Sequence, residues 1–142
     1  MARKRVAKTL RQTIAAQAGY RCGYCLTSQS VTAMPMHVEH IVPVAAGGTT
    51  TMDNLWLACP LCNGYKGAQT QAVDPLSGET VVLFNPRELV WSDHFAWSGD
   101  GTQIVGVSPC GRATVFALRL NNEYLVVARR RWVMAGWHPP GE

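Results

Sequence analysis

Four cysteines stand in two Cys-x-x-Cys turns, Cys22 with Cys25 and Cys59 with Cys62, and they bracket a neighbouring carboxylate and imidazole, Glu39 and His40, and an amide, Asn54; a second amide, Asn63, follows directly. Thiolates are soft ligands, and two such turns meeting in space make a closed tetrahedral site suited to zinc. A closed site has no position for water, so its ion serves the fold, tying together the ends of a loop-rich segment that buries little apolar surface by itself. A redox dithiol or chance pairing are the alternatives, and the doubled spacing favours zinc. The polar residues carry a different chemistry. A histidine can be neutral near pH 7, so His40 can accept a proton from water. Glu39 offers carboxylate oxygens and Asn63 an amide oxygen, hard ligands that suit Mg²⁺ or Mn²⁺. A base for water beside one divalent ion is what phosphodiester hydrolysis requires.

The elements around these residues must position them. Val6, Leu10 and Ile14 recur every four residues beside Ala7, Ala15 and Ala18, which predicts an amphipathic helix over 6–18 stopped by Gly19. Cys22 and Cys25 form a tight turn, and residues 26–35 read as a loop or short strand. Met36 to Val42 is β-like and Pro43 ends it. Residues 45–53 hold Gly47-Gly48 and three threonines, a loop; Leu55 to Ala58 is a short apolar stretch; Cys59 to about Thr70 is a metal turn running into a helix. Strand neighbours point to opposite faces, so Glu39 and His40 can approach one phosphate only from either side of it or if the strand breaks near Pro43, and an irregularity is expected there.

Several of these elements occur in the order found in HNH endonucleases. Glu39-His40-Ile-Val-Pro43, the Gly47-Gly48 loop, Asn54-Leu55, Cys59-x-x-Cys62-Asn63 and Lys66 together resemble that family, whose fold is the ββα-metal or His-Me finger. The resemblance covers roughly residues 20–67. It implies an α+β protein: a zinc-stabilised ββα-metal core with an N-terminal helix and a C-terminal α/β extension. It implies His40 as general base and Glu39 and Asn63 as ligands of Mg²⁺ or Mn²⁺. Asn54, the middle residue of the family name, is expected to fix a loop or orient His40. The implied substrate is DNA, double-stranded, cut to 3′-hydroxyl and 5′-phosphate ends. Asn63 stands where other members have His, and Glu39 where many have Asp.

The rest of the chain is read as three regions: 1–19, a basic tail and helix; 20–72, the zinc-bound core; and 73–142, an extension packed on it. Asp74-Pro-Leu-Ser-Gly78 is a turn at the boundary. Val81 to Phe84 reads as a strand. Phe95 and Trp97, then Gly99-Asp100-Gly101 and residues 102–107, read as a β-hairpin. A helix is expected over 112–120, after Gly111. Asn121-Asn122 then cap a last helix with Leu125, Ala128, Trp132 and Ala135 on one stripe. The tryptophans read as packing, Trp56 in the core and Trp91, Trp97, Trp132 and Trp137 between extension and core. His94 and His138 belong to no constellation and read as structural.

Four further residues are candidates for nucleic-acid contact, each with a plainer alternative. His37 shares the Glu39 face of its strand, where it hydrogen-bonds a phosphate or completes the metal site, or it is a surface histidine; Lys66 holds a phosphate or is solvated. Arg129 and Arg130, in the run 129–131, track a DNA backbone or sit as cations at the negative end of a helix. Lys4, Lys8 and Arg11, on one side of the first helix, touch phosphates or form a solvated face.

Composition bounds the class. At 142 residues the chain suits one domain or a small core with an extension, and 47% hydrophobic against 15% charged residues marks it as globular. No apolar run approaches the roughly 18 residues that span a bilayer, and no apolar core follows the basic start, so a cytoplasmic protein is expected. A reducing compartment favours metal over disulfide at the paired cysteines, with Cys110 a small buried residue or idle thiol. The net charge of +4 permits a polyanionic partner without requiring one. A zinc-stabilised nucleic-acid-binding module without catalysis, and a zinc-ribbon protein that binds other proteins, are the competing functions.

Overall fold

A computed structural model describes residues 6–141; the basic stretch 1–5, with Lys4, and the final residue lie outside the described residues. The architecture is α+β, with short helices and three two-stranded antiparallel sheets. The chain divides into two compact units. One runs through Thr70 and also takes in Asn85–Glu88; the other comprises Gln71–Phe84 and the chain from Leu89 onward.

In the first unit, helix α1 (Lys8–Gln17) buries Ile14 and ends where the pattern indicated. Gly19 adopts φ +61, its N–H bonds Ala16 O, and Tyr20 N–H reaches back to Ala15 O. This pair of bonds satisfies carbonyls that the helix end would leave open. The segment expected as a loop or strand instead holds a single helical turn, α2 (Gln29–Thr32), capped by the Ser28 side chain. Strands β1 (His37–His40) and β2 (Leu55–Ala58) pair antiparallel, with Glu39 opposite Trp56 and His40 opposite Leu55. Helix α3 (Pro60–Lys66) begins at once, with Cys59 as its N-cap and Pro60 in its first turn. It stops at Lys66 rather than near Thr70, because Gly67 turns the chain at φ +53. Tyr24, Leu55 and Leu57 fill the interior with Ile14 and the four cysteines. Trp56 is half-buried, with the Arg87 guanidinium 4.8 Å above its ring.

The second unit opens with β3 (Gln71–Val73), a strand too short for its pattern to mark, paired to β4 (Thr80–Val82). The turn at Asp74 joins them. Asp74 is fully buried and accepts from Arg112 twice, at 3.0 and 2.9 Å, from Leu76 N–H and from Ser77. The predicted hairpin is present as β5 (Phe95–Trp97) and β6 (Ile104–Gly106). Helix α4 (Pro109–Ala117) starts earlier than the pattern suggested. Ser108 caps it and Pro109 occupies its first turn, so Gly111 lies inside it. Helix α5 (Glu123–Met134) is capped by Asn122 as expected. Leu125 of the anticipated stripe is buried, but Ala135 and Trp137 are exposed, and the Trp137 reading as packing is corrected. His94 bonds Ser108 at 2.7 Å, and His138 bonds Gly101 O at 2.9 Å.

Candidate functional site

The two cysteine turns meet. Cys22, Cys25, Cys59 and Cys62 are all buried, and their sulfurs lie within 4.8 Å of one another. The Cys25 to Cys59 separation is 3.7 Å, close to the edge of about 3.8 Å that a tetrahedron with zinc–sulfur bonds of about 2.3 Å would have. Cys62 N–H points at Cys59 Sγ, and Thr27 sits 3.1 Å from Cys25 Sγ. Hydrogen bonds from its three neighbours pull the Cys25 thiol well below its ordinary pKa. Burial pushes Cys22 up, and bonding to Cys22 and the other thiols pushes Cys62 up. Four thiolates therefore cannot coexist here without a cation to offset their charge, and the donor set fits zinc.

Strand β1 leads from this cluster to the polar residues. It pairs with β2 in unbroken register through His40, where the strand ends. Glu39 therefore faces inward. It is only 4% exposed, its Oε1 accepts from the Tyr24 hydroxyl, and its Oε2 lies 3.7 Å from Lys66 Nζ. Lys66 is 2% exposed and also donates to Ile41 O at 2.9 Å and His40 O at 3.3 Å. Burial raises the Glu39 carboxyl, with Lys66 and Tyr24 pulling against it; burial drives the Tyr24 hydroxyl well up, so it stays a proton donor.

His40 takes the other face. It is 8% exposed, and its Nε2 lies 2.9 Å from Thr50 Oγ1 in the following loop. That loop is held by Asn54. Its Oδ1 accepts from Val42 N–H, and its Nδ2 donates to Val42 O and to Thr49 O, each at 2.9 Å. Asn54, expected in the catalytic set, thus has its amide fully engaged with backbone. Gly48 closes the same loop: a Cβ there would sit 1.7 Å from Val42 O, so only glycine allows the approach. Asn63 lies on α3, three residues before Lys66 and so on roughly the same helix face. Its side chain is half-buried and makes no hydrogen bond among the described residues.

Residues 22–69 match the family model described as HNH endonuclease. This stretch is an HNH endonuclease domain. It covers about a third of the chain. No curated protein and no solved structure matches the chain.

The HNH domain corrects two sequence-based expectations. Lys66 is no phosphate contact: its ammonium is enclosed by a carboxylate and two carbonyls. Arg129 lies outside the domain on α5, is fully buried, and donates to Thr102 O, Leu120 O and Asn121 Oδ1, with Trp97 5.4 Å from its guanidinium. It cannot track a DNA backbone. His37, at the start of β1, and Arg130 are both exposed. Two residues of the HNH domain escaped sequence reasoning, Tyr24 and Thr50. Tyr24 lies inside the first cysteine turn, where its ring must enter the core. Thr50 is one of three consecutive threonines, and nothing in the sequence singles it out.

Proposed function

We propose that the HNH domain is a metal-dependent endonuclease that hydrolyses DNA phosphodiester bonds, with a structural zinc at the four cysteines, working in the reducing cytoplasm. The single observation that carries this reading is the placement of His40. It ends β1 with its ring bonded to Thr50, beside a loop that Asn54 and Gly48 hold in one shape. A neutral histidine has one basic ring nitrogen, and held in one orientation by this contact it can take a proton from attacking water.

The residues present fit a hard divalent ion in one way. Asn63 has an amide oxygen with no hydrogen bond among the described residues, and Glu39 Oε2 is turned to the Lys66 ammonium at 3.7 Å, so an ion takes this oxygen only where Lys66 yields it. Glu39 and Asn63 would therefore hold Mg²⁺ or Mn²⁺, which supplies charge stabilisation at the phosphate and the departing oxygen. His40 removes the proton from water, and Asn54 keeps the loop carrying Thr50 in register with it.

The buried ion pair between Glu39 and Lys66 favours a second reading, a zinc-stabilised nucleic-acid-binding module without catalysis. One experiment separates the two. Supercoiled plasmid is incubated with the protein and Mg²⁺ or Mn²⁺, beside His40→Ala. Metal-dependent nicking or linearisation that disappears in the variant supports the nuclease; cleavage at full rate in the variant, or none in the wild type, removes it.

A further inference from the structure

A groove opens on the first unit, away from His40. Its volume is about 700 Å³, within the roughly 300–1,000 Å³ typical of ligand clefts. Met36 and Leu57 floor it, Met34 and Tyr20 rim it, and Arg11 and Gln29 supply polar edges. Met36 precedes β1, so the floor lies about 13 Å along the strand from His40, at about 3.3 Å per residue.

Two features indicate what this groove takes. The first is charge. Among the described residues the unit holds five of the ten lysines and arginines and three of the eight carboxylates. Lys66, Arg21 and Arg87 are engaged internally, whereas Lys8 and Arg11 on α1 are exposed and form no ion pair among the described residues. α1 has no acidic residue in its first turn or elsewhere, and no carboxylate lines the groove. The second is an exposed aromatic on a fixed backbone. Tyr20 is 51% exposed, yet its backbone is held at φ +58, a region a tyrosine rarely adopts. Its N–H is bound to Ala15 O and its carbonyl to Gln29 N–H, both at 2.9 Å. An exposed ring carried on a backbone fixed from both sides offers a stacking surface at a defined place.

We propose that this groove binds an unpaired segment of DNA, a base stacking on Tyr20 while Arg11 meets a flanking phosphate. Aromatic platforms beside cations are how single strands are held without sequence readout, and the bases of an intact duplex cannot reach such a ring. The inference rests on the proposed action on DNA, and it adds a substrate feature: a single-stranded stretch beside the position of cleavage.

The test is fluorescence anisotropy of a labelled oligo-dT with the full chain and no added Mg²⁺ or Mn²⁺, so that binding is read without cutting. Tyr20→Ala should weaken binding by about tenfold or more, while Tyr20→Phe keeps it. Arg11→Gln should weaken binding and lower the salt slope by about 0.7. Wild-type affinity in Tyr20→Ala with retained zinc and helix content, equal losses in Tyr20→Phe and Tyr20→Ala, or no oligonucleotide binding by the wild type each overturns the proposal. Plasmid cleavage is scored separately. Tyr20-dependent binding without cleavage keeps the groove and removes the nuclease; cleavage with Tyr20-independent binding does the reverse.

Discussion

Lys66 Nζ lies 3.7 Å from Glu39 Oε2 with both side chains buried, and this pair joins helix α3 to the end of strand β1. The ammonium also satisfies the carbonyls of His40 and Ile41, where the strand's pairing runs out. It therefore holds the backbone of the candidate base in place. Removing one partner leaves the other charge buried and alone, so Lys66→Met should destabilise the first unit by about 3–5 kcal/mol. Urea unfolding measures this. A loss below 1 kcal/mol would show that the pair opens to solvent.

The zinc cluster makes a second prediction. The purified protein should carry one zinc, and a strong chelator should collapse the helix signal of the first unit, because the ligands' binding energy is folding energy. Cys59→Ser should lose the ion, although serine can still cap α3, since a hydroxyl is a poor zinc ligand. Metal analysis with circular dichroism reads both. Full helicity without metal would mean that the apolar interior alone supports the fold.

The second unit has its own pH dependence. Two bonds from Arg112, with those from Leu76 and Ser77, hold the Asp74 carboxyl far below the usual carboxylate range. Because the folded value is depressed, the stabilisation is present above the unfolded value of about 3.9 and is lost as pH falls below it. Unfolding of the wild type should become easier below about pH 4, and Asp74→Asn should flatten that part of the curve while lowering stability at pH 7. Parallel curves for the two proteins would assign the acid sensitivity to another group.

How much of this was legible depended on whether a residue's role is local. The cysteine turns, the Asn122 cap and the hairpin around Gly99 and Gly101 follow from short-range spacing, and the structure agrees. Lys66 and Arg129 read as surface charges in the sequence because a cation's sequence neighbours do not disclose the carbonyls that enclose it. The acceptors of Arg129, on residues 102, 120 and 121, arrive from the loop between β5 and β6 and from the turn before α5. Tyr24 was passed over for the same reason: its partner Glu39 lies 15 residues along the chain. β3 was missed because three residues carry too little alternation, and α4 was shifted because Gly111 read as a boundary when the stronger signal was Ser108 before Pro109.

Asn54 tests whether loop geometry matters to activity. Its three bonds to Val42 and Thr49 set the shape of the loop, which also carries Thr50. Asn54→Ala should cost about 1–3 kcal/mol from the unmet backbone groups. If cleavage is confirmed, kcat should fall with little change in KM, because Asn54 acts through His40 and not on DNA. Asn54→Asp is the sharper variant: it keeps the acceptor for Val42 N–H but turns a carboxylate toward two carbonyls, and it should be no better than alanine. Wild-type rates in both would detach the loop from the reaction.

Thr50 bonds the ring of the candidate base. Its Oγ1 lies 2.9 Å from His40 Nε2, a contact that fixes which way the ring is turned. Thr50→Val keeps the shape and removes the partner, so the ring loses this hydrogen bond and a fraction of molecules turn it away from its working orientation. The cleavage rate at neutral pH should drop by about tenfold, part of the roughly 10²–10⁴ that general-base catalysis supplies. DNA affinity should be unchanged, and Thr50→Ser should restore the rate. A shift in the pH–rate profile of Thr50→Val would mark an effect on the base itself, where mere loosening of the loop would lower the rate equally at every pH. Full activity in Thr50→Val would mean that the ring is held in its working form by something other than this hydroxyl.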